Sequence, residues 1–262
     1  MKYFKKIILI FLIISFPVIL LADFKVGYYS LKSDKEKSFF NGIKKSLPNS
    51  EFIKINGKKD TDVDIIFAFN YRDYTKASKL QKKIFYACFD KKFSEKLINN
   101  NLIGAFCPSL PYYQIIMSIK NKFKDIGSIG IVLHNESTIK DIAKLRIYNP
   151  LIRLYEVSEK SRVLFKFKTA IDENDFILLL PDDFVFDYFS FQKILKQLIN
   201  NDKLFAGYSK AFMKLGAAMA FEADYFKEGI KIGEFLKNIK KSKVRKFKRF
   251  YLENIKLYFK DE

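Results

Sequence analysis

The stretch "GAAMAFEADYFKEGIKIGEFLKNI", residues 216–239, differs from the chain around it. Lys, Phe, Ile and Asn crowd the rest of the sequence, yet here small residues cluster and Gly216, Gly229 and Gly233 fall close together. Its first half reads as a strand of small apolar residues and its second half as an amphipathic helix. Glycine inside a helix costs about 1 kcal/mol relative to alanine. A sequence this biased needs a physical reason to keep it there, and the elements on either side supply the context.

Those elements alternate. "FKVGYY", "EFIKI", "VDIIFAF", "KIFYAC" and "LIGAFC" are short runs rich in β-branched and aromatic residues, bounded by polar clusters. "EKSFFNGIKKSL", ended by Pro48, and "YTKASKLQ" read as helices between them. Nearly continuous apolarity over so few residues fits parallel strands covered by helices on both faces. The pattern then restarts. "PYYQIIMSIKNKF" places Tyr112, Ile115, Ile116 and Ile119 on one helical face. "SIGIVLHN", "IRLYEV", "DFILLLPDD" and "KLFAGY" follow as strands, with "YFSFQKILKQLI" as a helix, and "YLENIKLYF" reads as a closing strand. Two βαβ series of similar size predict an α/β protein of two doubly wound parallel-sheet lobes, divided near Pro108 to Pro111.

Composition narrows the class. The chain has 262 residues, 49% hydrophobic and 17% aromatic, enough to bury a substantial core. Its net charge of +19 comes from Lys spread along the whole sequence, which reads as a solvated surface rather than a nucleic-acid face. The basic run "KNIKKSKVRKFKRF" lies between a helix and a strand and reads as a helix end and loop. At the start, Lys2, Lys5 and Lys6 precede an apolar run from Ile7 to Leu21 and then Ala22. That order is a secretory signal peptide, residues 1–22, with an uncleaved anchor as the competing reading. Export would place Cys88 and Cys107 where a disulfide can persist. They end successive strands, and a bridge between them stands beside the reading of two separate buried thiols.

In open α/β sheets ligands bind beyond the carboxyl ends of strands. That rule nominates "YYSLKSD", "NYRDY", "FDKKF", "HNES", "PDD" and "YSK", which line one cleft if the lobes face each other. They offer Tyr28, Tyr71 and Tyr208 for stacking, Arg72 as a cation, and Asp90 and Asp183 among the carboxylates. Such a set suits a small polar or zwitterionic ligand. Each residue also has a plainer reading: His134 as a capping or surface residue, and the pair Asp182 and Asp183 as caps for the next helix. No G-x-S-x-G, P-loop, dinucleotide fingerprint or Cys/His metal spacing occurs, and a single His offers no nucleophile–base pair. The expectation is therefore a binding protein with no cofactor rather than an enzyme.

The opening stretch now resembles a known pattern. A Gly-Ala-rich strand followed by "DYFKEGIKIGEFLKNIKK" is similar to the late signature of the ABC-transporter substrate-binding family of the tryptophan/tyrosine-transporter type. "SIGIVLHNES" resembles that family's "IGVLYNPSE", and "DFILLLPDDFV" its "DAIYVPTDNTV". "VDIIFAFN", "KIFYACFD" and "NNNLIGAF" follow its "DVIVAIGT", "IPIVFAAVSD" and "NVTGVS" in order. The resemblance covers nearly all of the chain after residue 22. It implies a type I periplasmic-binding-protein fold in which the chain crosses between lobes more than once through a hinge. One lobe would hold 23–106 with about 222–242, the other 107–221 with about 243–262. In that frame Gly216 ends a helix, the Ala residues let a strand pass close to its neighbours, and Gly229 and Gly233 let the next helix pack on its sheet.

The departures fall in the pocket loops. The family's "G-T-P-A-A" is Phe69 to Asp73 here, its "G-V-S" is Gly104-Ala105-Phe106, and its "Y-N-P" becomes Leu133-His134 with Asn135 following. Asn135, Asp183, Asp224 and Asp90 keep a matching polar type. The resemblance thus implies a monomeric, exported protein of the periplasm that captures a small polar or aromatic ligand in an interlobe cleft. It would deliver that ligand to an inner-membrane ABC permease and bind no nucleic acid. The alternative is a ligand-free or sensory interaction module of the same fold that docks a membrane partner.

Overall fold

The computed structural model describes residues 24–56, 62–89, 97, 100–241 and 247–260. Residues 1–22, expected to be the signal peptide, lie outside them, as does Asp90. The chain divides into two compact units. The first holds the described residues as far as Pro108 together with Tyr225–Tyr251. The second holds Ser109–Asp224 and the residues from Leu252 onward.

The elements alternate as the sequence predicts. First come β1 (Lys25–Tyr28), α1 (Asp34–Ser46), β2 (Glu51–Lys54), β3 (Ile65–Ala68), α2 (Tyr71–Ala77), β4 (Lys83–Ala87) and β5 (Leu102–Cys107). The second unit adds α3 (Tyr112–Lys122), β6 (Ile129–Leu133), α4 (Glu136–Tyr148), β7 (Ile152–Glu156), α5 (Val163–Glu173) and β8 (Phe176–Leu178). It continues with α6 (Tyr188–Asn200), β9 (Leu204–Gly207), α7 (Ala211–Lys214) and β10 (Met219–Ala223). Helix α8 (Tyr225–Lys241) and β11 (Lys248–Tyr251) return to the first unit, and β12 (Ile255–Phe259) to the second.

Each unit is built on a six-stranded sheet. The first runs β11-β5-β4-β3-β1-β2, and every pairing in it is parallel. The second runs β12-β10-β9-β8-β6-β7, parallel except that β12 lies antiparallel to β10. Two α/β units with these sheets are the predicted fold class. The last passage between units falls after Tyr251, later than the expected boundary near residue 242, because Lys248–Tyr251 extends the first sheet beside β5. The segment "YLENIKLYF" is correspondingly not one strand. Its first residue ends β11 in one sheet, and β12 begins at Ile255 in the other.

Burial explains why the strands read as unbroken apolar runs. All five residues of β6 are buried, and successive side chains point to opposite faces of the sheet. Val132 joins a cluster with Phe167, Leu198 and Phe205 beneath α5 and α6. Ile129, Ile131 and Leu133 join Ile115, Ile119 and Ile142 beneath α3 and α4. The first unit packs rings instead. Phe39 stacks on Phe106 with centroids 4.9 Å apart, and Phe40 meets Phe69 edge-on at 5.8 Å. Each such buried side chain contributes about 1.5–3 kcal/mol of transfer free energy.

The glycines of the quoted stretch have a different partner from the expected one. Helix α8 packs against α1, not only on its sheet. A Cβ on Gly229 would lie 1.9 Å from the Phe39 carbonyl oxygen, and one on Gly42 would lie 2.1 Å from that of Phe226. A Cβ on Gly233 would meet Ser46 Oγ at 1.7 Å. The small residues let two helix backbones touch. Gly216 does terminate a helix: it follows α7 at φ +92°, a conformation that L side chains rarely adopt.

Candidate functional site

The order of the first sheet reverses between β1 and β3: the chain goes out from β1 to β2, then back across to β3 and on to β4. Ligands in such sheets lie beyond the carboxyl ends of strands at this reversal. The local sequence builds the edge firmly. After β1, Ser33 caps α1 in a reciprocal box: its Oγ accepts from Glu36 N at 3.2 Å, while Glu36 Oε2 accepts from Ser33 N at 3.1 Å and from Lys32 N. After β3, Asn70 caps α2 by accepting from Asp73 N at 2.9 Å and donating its amide to Asp73 Oδ2 at 2.7 Å. These caps fix Lys32 and Arg72 at the two helix starts.

Between them lies a cavity of about 340 Å3, lined by Tyr29 and Ser30 after β1, Lys54 and Asn56 at β2, and Arg72 and Asp73 on α2. Lys32 and Lys76 complete its wall, with Lys76 Nζ 5.7 Å from the centre of the Tyr29 ring. Among the described residues, no carboxylate lies within ion-pair distance of Lys32, Lys54, Arg72 or Lys76.

Of the residues singled out in this unit, Arg72 lines the cavity. Tyr28 instead packs on α1, its ring 4.5 Å from Phe40 with Lys44 Nζ at 5.9 Å, and Tyr29 takes the cavity position. Tyr71 opens α2 with its ring 6.5 Å from Tyr74 and is 42% exposed. Tyr29, Lys54, Asn56 and Lys76 were not singled out. Their signal is position alone, just past a strand or one turn into the following helix. In a chain this rich in Lys and Tyr, residue type added nothing to it.

The second sheet reverses between β6 and β8, and here the edge is tied shut by one carboxylate. Buried Asp182 accepts from His134 N at 2.8 Å and Asn135 N at 2.9 Å with one oxygen. Its other oxygen accepts from Phe184 N at 3.1 Å and Val185 N at 3.3 Å. His134 is held as well, with Nδ1 2.8 Å from the Val157 carbonyl and its ring stacked on Phe184 at 3.7 Å. Asn135 caps α4 by accepting from Ser137 N and Thr138 N. Asp183, the next residue, is exposed. It lies close enough to Tyr208 to act on it: burial first, then the Asp183 charge, raises the Tyr208 hydroxyl above its ordinary pKa. Asp224 is buried at the end of β10, with Lys256 Nζ at 3.8 Å and its N–H given to the Asn254 carbonyl at 2.9 Å. The adjacent acids are therefore not a paired site, and among the described residues no cluster of His, Cys, Asp or Glu is placed to hold a metal ion.

Cys88 and Cys107 are not joined by a disulfide, so the bridge weighed from the sequence is not formed in this structure. The register that sets Ala87 beside Phe106 brings them together at the carboxyl ends of β4 and β5. A hydrogen bond from Cys88 is the main cause holding the Cys107 thiol below its usual pKa; burial opposes it and nearby Arg249 assists.

No family model matches the sequence, and no curated protein matches it. Solved structures do match in fold. The ligand-free, open structure of a substrate binding protein with adhesive properties from Clostridium difficile is 13% identical, with a TM-score of 0.68 over 89% of this chain and 91% of that one. A periplasmic ribose ABC transporter structure from Conexibacter woesei is 9% identical, with a TM-score of 0.61 over 90% and 91%. The ABC domain in complex with L-Trp from Streptococcus pneumonia is 12% identical, with a TM-score of 0.52 over 90% and 92%. The chain has the two-unit α/β fold of the type I periplasmic binding proteins. Among the described residues no helix is long and apolar enough to cross a membrane.

Proposed function

We propose that this chain is an exported solute-binding protein that captures a small ligand at its carboxyl-edge loops and delivers it to an inner-membrane ABC permease. The observation that carries this reading is the cavity at the strand-order reversal of the first sheet, framed by two capped helix starts and lined by Tyr29, Asn56 and Arg72. Its volume falls in the range of small-molecule sites, about 300–1,000 Å3. Arg72 is proposed as a ligand contact in this cavity. Asn135 and Asp182 serve as supports, because their side chains are committed to backbone N–H groups. The similarity in sequence to the tryptophan/tyrosine-transporter type supports the transport role.

A thermal-shift screen tests this. The protein, refolded to strip any carried solute, is exposed to amino acids, nucleosides, sugars, short peptides and inorganic anions. A ligand at a hundred times its dissociation constant adds about 2.7 kcal/mol of stability, a rise of several degrees. A well-folded protein that no member shifts would contradict solute capture and favour the interaction-module alternative.

A further inference from the structure

Resting on the solute-binding reading, we infer that the first-unit cavity selects a solute bearing a dianionic oxygen group, of the phosphate-monoester or dicarboxylate kind. Among the described residues four cations line it, Lys32, Lys54, Arg72 and Lys76, against one carboxylate, Asp73. The chain as a whole holds 48 basic and 29 acidic side chains, so the cavity is more cationic than its surroundings require. Two other cavities among the described residues do not share this basic lining. The one beside α1 mixes Asp34 and Glu36 with Lys35, and the apolar one between α3 and α4 has Lys120 alone.

Among the described lining residues the charges are not balanced. Asp73 shares one oxygen with the Asn70 amide, and among the described residues none of the four cations has a carboxylate within ion-pair distance. Cations gathered in a recess repel one another unless an anion enters. Arg72 brings a planar fork of donors that matches the paired oxygens of phosphate or carboxylate, and the lysines act as point charges around it. The remaining wall is suited to the rest of the solute. The Tyr29 ring offers a stacking face, and Ser30 and Asn56 offer hydrogen bonds to hydroxyl groups.

Titration calorimetry on the whole chain tests the assignment, with inorganic phosphate, glycerol phosphate and succinate as probes and glucose and tryptophan as controls. The expected result is saturable binding of at least one dianion, weakened roughly tenfold or more in Arg72→Ala and in Lys54→Ala, the loss of one charge-assisted contact each. Both side chains are exposed, so the variants keep the wild-type melting temperature. Phosphate probes binding without succinate identify phosphate chemistry, and succinate alone identifies a dicarboxylate. Binding of glucose or tryptophan with no dianion binding overturns this inference while leaving solute capture standing. Dianion binding undiminished in the variants shows general attraction to a lysine-rich surface and overturns it too. Binding of none of the five probes overturns it as well.

Discussion

Gly42 on α1 and Gly229 on α8 face each other so closely that a Cβ on either would lie about 3 Å from the Cα of the other, at 3.0 and 3.1 Å. Two helices separated by more than a hundred residues of the second unit are thereby locked together backbone to backbone. The Gly229→Ala variant should lose stability through overpacking, by about 1–3 kcal/mol, because the obstructing atom is the Phe39 carbonyl and not a side chain that can turn away. Thermal unfolding of the two proteins measures it. An unchanged midpoint would show that the helices can part at no cost.

The neighbouring carboxylates of Asp182 and Asp183 should behave oppositely. Asp182→Ala strips the acceptor from four backbone N–H groups, and a loss of about 2–4 kcal/mol in denaturant unfolding is expected. Asp183→Ala removes an exposed group and should leave stability within about 0.5 kcal/mol. Equal stability losses in the two variants would contradict the division of roles.

Acid should loosen the start of α6. Asp187 caps that helix through Ser190 N at 2.8 Å and pairs with Lys160 at 2.9 Å, and these contacts hold its carboxyl at about 2. A depressed folded-state value means the contribution is complete above the unfolded value near 3.8 and fades as pH falls toward 2. The Asp187→Asn variant should therefore be less stable than wild type at neutral pH, with the difference shrinking as pH falls from 4 toward 2. A difference that persists unchanged at pH 2 would show that the charge is not its origin.

The thiol pair gives a chemical readout. Since the Cys88 hydrogen bond is the leading cause of the lowered Cys107 value, Cys88→Ala should move the pH profile of Cys107 alkylation to higher pH. An unmoved profile would assign the lowering to Arg249 instead. Protein from an oxidising compartment that reacts only after reduction would carry the bridge.

Much of this architecture is written in the sequence, because strands buried on both faces become unbroken apolar runs whose polar borders mark their ends. Two helices were not. Helix α4 buries Ile142 alone, so its face carries almost no periodic signal. Helix α5 begins in "VLFKFK", whose alternation reads as strand-like until Phe167, Ala170 and Ile171 show the helical period. The site was less legible for a related reason. In a doubly covered sheet, alternation cannot say which of Tyr28 and Tyr29 turns to the helix and which to the edge. Lys54 and Lys76 were hidden among dozens of lysines, and only the strand order brings them to one recess. Gly229 was visible as unusual, but its partner, Gly42, is named only by the packing of α1 on α8.

Equilibrium titration of the ligand-stripped chain with the best member of the solute panel decides whether this protein captures a solute. One saturable site per chain is expected, weakened roughly tenfold in Arg72→Ala with the fold intact. Absence of saturable binding by any member, in a protein that unfolds cooperatively, would contradict solute capture.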